Sequence, residues 1–293
     1  AGAGAGAGAG APVVATCYDK DCGPIVEMCY NQGHIFAGTR EGGILMYDIS
    51  ASGYDGTGNG ASLAPYRRLQ GHGKAVTNLS LLNHGSPCVF VSTGADGLIR
   101  LWDSRLERCL VQSINAHPVP DQGGKSPAGP SVTCLLTQCC ADSSANFIDD
   151  ACIISGGSDS LVNVIDVRCS GSRNGNGMFA DCSIVNTFAH HQNGIYSMCS
   201  AARGVIFSGD GRGMLHCYDI HGSRTRDPGL KYGIGVCEIG AIQCIGVVND
   251  APRINTGTAA ARKYDNHDVG SAGSSRNKII CAGDDGNVSI YNF

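Results

Sequence analysis

The sequence predicts an all-β chain assembled from repeats of short strands. Three observations carry this. Glycine is abundant, at 43 of 293 residues, while charged residues make up only 16%. A glycine costs about 1 kcal/mol relative to alanine inside a helix, so this composition suits strands and tight turns. Apolar runs stay short, well below the roughly 18–20 residues that a membrane span needs. Above all, one pattern of residues recurs five times along the chain.

The unit is a short apolar strand, a turn, a strand ending in small residues, a tight turn, and a strand closing on an aromatic or apolar residue plus Asp. The first copy has Ile35-Phe36-Ala37-Gly38, a turn at Glu41-Gly42, and closes on Tyr47-Asp48. The second is the clearest. It runs from Gly71-His72 through Ala75–Leu79 and Val89–Gly97 to Leu98-Ile99-Arg100-Leu101-Trp102-Asp103. The third has His117, Ile153-Ile154-Ser155-Gly156, Asp159 and Ile165-Asp166. The fourth has His190-His191, Ile206-Phe207-Ser208-Gly209, Arg212-Gly213 and Tyr218-Asp219. The fifth has Ile279–Gly283, Asp285-Gly286 and Tyr291-Asn292. In every copy the closing residue lies six positions after the turn: 41 to 47, 96 to 102, 159 to 165, 212 to 218, 285 to 291. Units this small bury their apolar faces only by stacking on neighbours.

This unit resembles the WD repeat, the four-stranded blade of a β-propeller, and the resemblance covers residues 12–293. It implies an all-β propeller with five recognisable blades. Family propellers usually have seven, so the chain reads as a fragment of a larger ring. In the family, His, Ser, Asp and Trp form a hydrogen-bonded tetrad within a blade. Carried over by position, the full set here is His72, Ser92, Asp96 and Trp102. The third copy keeps His117, Ser155 and Asp159 but has Ile165 for Trp. The first has Ala37 and Glu41, the fourth has Arg212 where Asp is expected, and the fifth has Cys281 where Ser is expected. The closing residues step by 55, 63, 53 and 73 positions, against ~40–45 for a standard repeat. Gly/Ser/Asn-rich inserts at 50–65, 115–130, 168–182, 221–231 and 249–277 account for the excess. The last copy stops before an outer strand. Pro12–Tyr18 is strand-like, and either closes the ring onto the last blade or belongs to an upstream one.

Residues 1–11 alternate Ala and Gly and read as a flexible linker or the cut edge of a longer protein. The net charge is −4 with no Lys/Arg run, which argues against nucleic acid and anionic membrane as partners. The chain is too long for a small disulfide scaffold, despite 16 cysteines. Cys29, Cys134, Cys152, Cys199, Cys217, Cys244 and Cys281 fall in strand-like runs, where they read as small buried hydrophobes. No Cys-x-x-Cys occurs. Free thiols, no metal, no cofactor and a reducing compartment, cytoplasm or nucleus, are expected.

No nucleophile elbow, His-Glu-x-x-His or phosphate loop is present in the sequence. His190-His191 reads as a tetrad histidine beside an exposed one. The expected function is a non-enzymatic scaffold or adaptor that binds a protein or peptide through its loop faces. On the narrower face, Arg40, Lys74 and Arg212 stand at or near the tight turns. Trp102-Asp103-Ser104-Arg105 and Ile165-Asp166-Val167-Arg168 share an Asp-x-Arg ending. It resembles that of substrate receptors of cullin–RING ubiquitin ligases, whose adaptor would then meet Trp102, Asp103, Arg105, Asp166 and Arg168. A propeller enzyme with a channel site is the reading from another class, and only the fold speaks for it.

Overall fold

The computed structural model describes residues 15–16, 23–49, 61–62, 64–82, 88–117, 130–137, 152–167, 183–201, 204–220, 230–237, 240–248 and 278–292. Strands and turns make up this part of the chain, with no helix among the described residues. They fall into two compact units, one up to Val132 and one from Thr133 onward. The five inserts lie largely outside them.

In the first unit, β2 (Ile25–Asn31), β3 (His34–Thr39), β4 (Gly43–Asp48) and β6 (Arg67–Gln70) form one four-stranded antiparallel sheet. A second holds β7 (Val76–Leu81), β8 (Val89–Gly94), β9 (Leu98–Asp103) and β10 (Leu110–Asn115). Of the strand-like segment Pro12–Tyr18, the described pair β1 (Ala15–Thr16) runs parallel to β5 (Ala61–Ser62). It therefore pairs elsewhere than beside the last blade.

The second unit holds three sheets. The first is β11 (Val132–Leu136), β12 (Cys152–Gly157), β13 (Val162–Asp166) and β14 (Ser183–Phe188). The next is β15 (Ile195–Ala201), β16 (Val205–Asp210), β17 (Met214–Asp219) and β18 (Leu230–Gly235). The last, β19 (Ile242–Val248), β20 (Lys278–Gly283) and β21 (Val288–Asn292), has three strands among the described residues.

One turn is built five times. The amide of residue 42, 97, 160, 213 or 286 donates to the carbonyl three positions earlier, at 3.1–3.2 Å. Each of these residues has a positive φ, from 69° to 85°. Four are glycine, which adopts this conformation freely; the fifth is Ser160.

Glycine also sets how closely the sheets approach. In the second unit a Cβ on Gly156 would fall 2.9 Å from Ile195, and one on Gly209 2.7 Å from Ile242. The next sheet's first strand therefore lies against bare backbone. Hydroxyls tie the same contacts: Thr133 donates to the Ile195 carbonyl and Ser197 to that of Ile242, at 2.5 and 2.8 Å. In the first unit Val76 packs on Gly38 in the same way, and Phe36 meets Phe90 across the sheets at 4.6 Å.

The cysteines divide more than their strand positions suggested. Cys134, Cys217 and Cys281 are buried, Cys29, Cys152 and Cys199 partly so, and Cys244 is exposed. Cys244 follows a bulge between Ile242 and Cys244. It shares its sheet face with the exposed Val248, Val288 and Ile290, which accounts for its exposure.

Candidate functional site

The β7–β10 sheet joins His72, Ser92, Asp96 and Trp102. His72 Nδ1 lies 2.9 Å from Asp96 Oδ1, and Nε2 lies 2.7 Å from Ser92 Oγ. The carboxylate can only accept, so the neutral imidazole donates from Nδ1 and accepts the Ser92 hydroxyl at Nε2. The Trp102 indole donates to the same Oγ at 2.8 Å. Asp96 also accepts from the amides of Gly73 and Leu98. Burial holds His72 below its ordinary pKa, against the pull of Asp96. Burial works to raise the Asp96 carboxyl, but His72 and the two amides outweigh it and keep it below the usual range.

The β15–β18 sheet contains a second network, for which the residue pattern offered a tetrad histidine but no carboxylate. His191 Nδ1 lies 3.0 Å from Asp210 Oδ2 and Nε2 2.6 Å from Ser208 Oγ. Tyr218 reaches Ser208 in the place of the indole. Arg212 does occupy the position of Asp96, but the carboxylate has moved two residues earlier, to Asp210. The geometry explains why both positions serve. A Cβ on Gly94, the counterpart of Asp210, would fall 2.3 Å from His72 Nδ1 and 2.5 Å from Asp96 Oδ1. A side chain from either position thus enters the same space. Asp210 Oδ1 accepts in addition from the amides of Arg212 and Met214, both at 2.9 Å.

In the last sheet Cys237 stands where histidine would. Its amide donates to the Gly213 carbonyl at 3.3 Å, as that of His72 donates to Gly42 at 3.0 Å. The space above Gly283 is taken by Cys237 Sγ, as that above Gly94 is taken by His72. Burial and the neighbouring Asp285 raise the Cys237 thiol. His117 and Ser155 are fully buried, and Asp159 accepts from the Leu161 amide at 3.1 Å. In the first sheet Thr39 closes the turn instead, its hydroxyl exchanging bonds with Gly43.

At the other end of β9 the Asp-x-Arg sequence folds on itself. Arg105 Nε and Nη2 contact Asp103 Oδ1 and Oδ2 at 2.9 and 2.7 Å, and the Arg105 amide also donates to Oδ1. This bidentate pair keeps the Asp103 carboxyl below its usual range. Arg67, on β6, grips the turn from the neighbouring sheet. It donates to the carbonyls of Ser104, Leu106 and Glu107 at 3.0, 2.9 and 2.6 Å. The side chain of Arg105 is 64% exposed, and Leu106, with Tyr66 beside the clamp, is exposed too. Trp102 is a correction to the expected adaptor surface. It is buried, bonded to Ser92 and stacked on Phe90, so a partner cannot reach it. Asp166 ends β13 half-buried, and Arg168 lies outside the described residues.

Arg40, Lys74 and Arg212 are all exposed. The turn at Gly42 rests on the carbonyls of His72 and Lys74, which brings the loops bearing Arg40 and Lys74 side by side. In both tetrads the ring nitrogens and carboxylates bind one another, which makes the networks braces of their sheets.

A repeat of four-stranded antiparallel sheets, closed by one recurring turn and braced by His–Ser–Asp networks, defines a blade-type repeat protein. The family profile WD40 (WD domain, G-beta repeat) matches residues 63–103. The fold is similar to the crystal structure of the WD40 β-propeller domain of Doa1, with TM-score 0.53 and 16% sequence identity. The match covers 91% of this chain, and the chain spans 62% of that structure's length. No curated protein sequence matches. Residues 63–103 thus match a WD40 repeat, and the fold is similar to that of a WD40 β-propeller domain.

Proposed function

We propose that the chain is a non-enzymatic binding module for a protein or peptide partner, working in the cytoplasm or nucleus. WD40 folds generally mediate contacts between proteins, and the observation that carries the reading here is the clamped turn after β9. Three bonds from Arg67 fix its backbone while Arg105, Leu106 and Tyr66 face solvent. A rigid turn with apolar and cationic side chains loses little entropy on binding. The test is quantitative capture by the intact chain, compared with Leu106→Asp and Arg105→Ala, with folding checked by circular dichroism. A partner bound by the parent and lost by both variants supports the surface; equal capture refutes it.

A finer reading takes the partner to be the adaptor of a cullin–RING ubiquitin ligase, met by Asp103, Arg105, Asp166 and Arg168. The paired Asp103–Arg105 turn favours it to the extent that the adaptor accepts an ion pair in place of a free guanidinium. Purified adaptor that binds the parent equally well as Arg105→Ala/Arg168→Ala would remove this reading and leave the first. The exposed Arg40, Lys74 and Arg212 support a peptide site at the tight turns. Loss of capture in Arg40→Ala/Lys74→Ala would test it.

A further inference from the structure

The two tetrads differ in what lies over their histidine. In β7–β10 the residue opposite Ser92 on β9 is Arg100; in β15–β18 the residue opposite Ser208 on β17 is His216. The His216 ring stacks on His191 with centroids 4.1 Å apart and planes 20° apart. Its Nδ1 faces the Tyr218 hydroxyl at 3.2 Å. A third imidazole, His190, meets His216 edge-on at 6.5 Å, and its buried Nδ1 has no hydrogen-bond partner. From β18 the ring is backed by Gly233, which brings no charge. From β16 come Ser208 and Asp210, and Asp210 is the one carboxylate among the groups acting on His216, already bonded to His191. His216 is 8% exposed, whereas Arg100 is only half-buried and carries a fixed charge.

We propose that the β15–β18 sheet is an acid-sensitive latch: protonating the stacked His191–His216 pair sets like charges face to face over the Asp210–Ser208 bridge and opens this sheet more readily than β7–β10. A proton on His216 has no carboxylate of its own and sits face to face on a ring whose two nitrogens are both engaged. A proton on His191 Nε2 makes that nitrogen a donor to the Ser208 oxygen, so the hydroxyl hydrogen must turn to another acceptor, and it sets a second positive charge against the His216 ring. Burial, then His191, holds His216 down at about 4, and burial lowers His191 as well. The sign follows. A histidine whose folded pKa lies below its unfolded one leaves stability intact above the ordinary 6.5. Stability then falls as pH drops from there towards about 4, because the unfolded chain takes up the proton first.

Hydrogen exchange with peptide-level mass spectrometry on the full chain tests this at pH 7 and pH 4.5, after correction for intrinsic rates. The expected result is faster opening in β15–β18 at pH 4.5, by on the order of tenfold or more, with a smaller change in β7–β10. His216→Phe keeps the stack but cannot titrate, and should lose the difference. An equal response in both sheets overturns the proposal, as does an undiminished response in His216→Phe. Should that variant fail to fold, C2-proton exchange of the histidines in the parent protein decides: a His216 that titrates at 6 or above refutes the latch.

Discussion

Asp210→Ala is the sharpest perturbation of the fold. Asp210 is 1% exposed and its carboxylate accepts three bonds, from His191 Nδ1 and from the amides of Arg212 and Met214. Alanine leaves a buried imidazole donor unpaired and two turn amides without their acceptor. A buried donor stripped of its partner costs ~1–3 kcal/mol. The two amides lie at a turn and recover part of their bonding from water, so the sum is about 3–4 kcal/mol, in the range reserved for broken buried networks. With a urea slope of roughly 2 kcal/mol/M this lowers the midpoint by about 1.5–2 M. Arg212→Ala is the matched control. Position 212 aligns with Asp96, yet its side chain is exposed, and its removal should change stability by no more than about 0.5 kcal/mol. Urea unfolding followed by far-ultraviolet circular dichroism, with unchanged slope, reads both. If Arg212→Ala costs as much as Asp210→Ala, or if Asp210→Ala is silent, the two-residue shift of the carboxylate is wrong.

Further outcomes follow from the same geometry. Asp96→Ala should cost ~1–3 kcal/mol, less than Asp210→Ala, because its side chain is 13% exposed and water can replace part of its bonding. Its depressed pKa means the Asp96 contribution is present well above its ordinary 3.8 and lost as pH falls through that value towards the depressed one, which an acid titration of the midpoint should show. Gly209→Ala should destabilise by ~1–3 kcal/mol, since the added Cβ lands 2.7 Å from Ile242. Ser160→Gly should stabilise by roughly 0.5–1 kcal/mol by relieving the one non-glycine of the five turns, with φ of 69°. In native labelling with iodoacetamide, Cys244 should react before Cys134 and Cys281. Burial raises their thiols to about 12 and about 11; prompt loss of Cys134 with Cys244 intact would contradict the burial assigned to both.

The six-residue step from turn to closing residue was legible in the sequence because it follows from backbone geometry. A strand of fixed length after a fixed turn keeps its register whatever the side chains, and in all five turns the positive-φ residue, 42, 97, 160, 213 or 286, lies five positions before the closing residue. The tetrad of the best copy was legible for the same reason. Tyr218 was legible as the closing residue at the Trp102 position, but Asp210 and Cys237 were not, because a network needs a filled space and a donor–acceptor match, and neither is tied to one sequence position. The signal for Asp210 was present: a carboxylate two residues after Ser208, with a cation where the carboxylate should have been. Arg67 left no such signal, since its three carbonyl partners lie about 40 residues away and carbonyls carry no residue identity.

This difference bears on where function can sit in such a chain. The turns and glycine contacts repeat because each sheet must pack on the next, and a substitution there is felt by the fold. The groups laid over that frame vary from sheet to sheet: Trp102 becomes Tyr218, His72 becomes Cys237, and Arg100 becomes His216. The frame tolerates them because the space above Gly94 is filled by His72 and Asp96 while the matching space above Gly283 is filled by Cys237, so one place can be reached from more than one position and by more than one side chain. The Arg67-clamped turn and the His191–His216 stack are both departures of this kind. The stack is not required by the repeat, since the β7–β10 sheet has Arg100 in the place of His216. Its presence therefore calls for a cause outside packing, and binding at the turn and acid response at the stack can be tested separately.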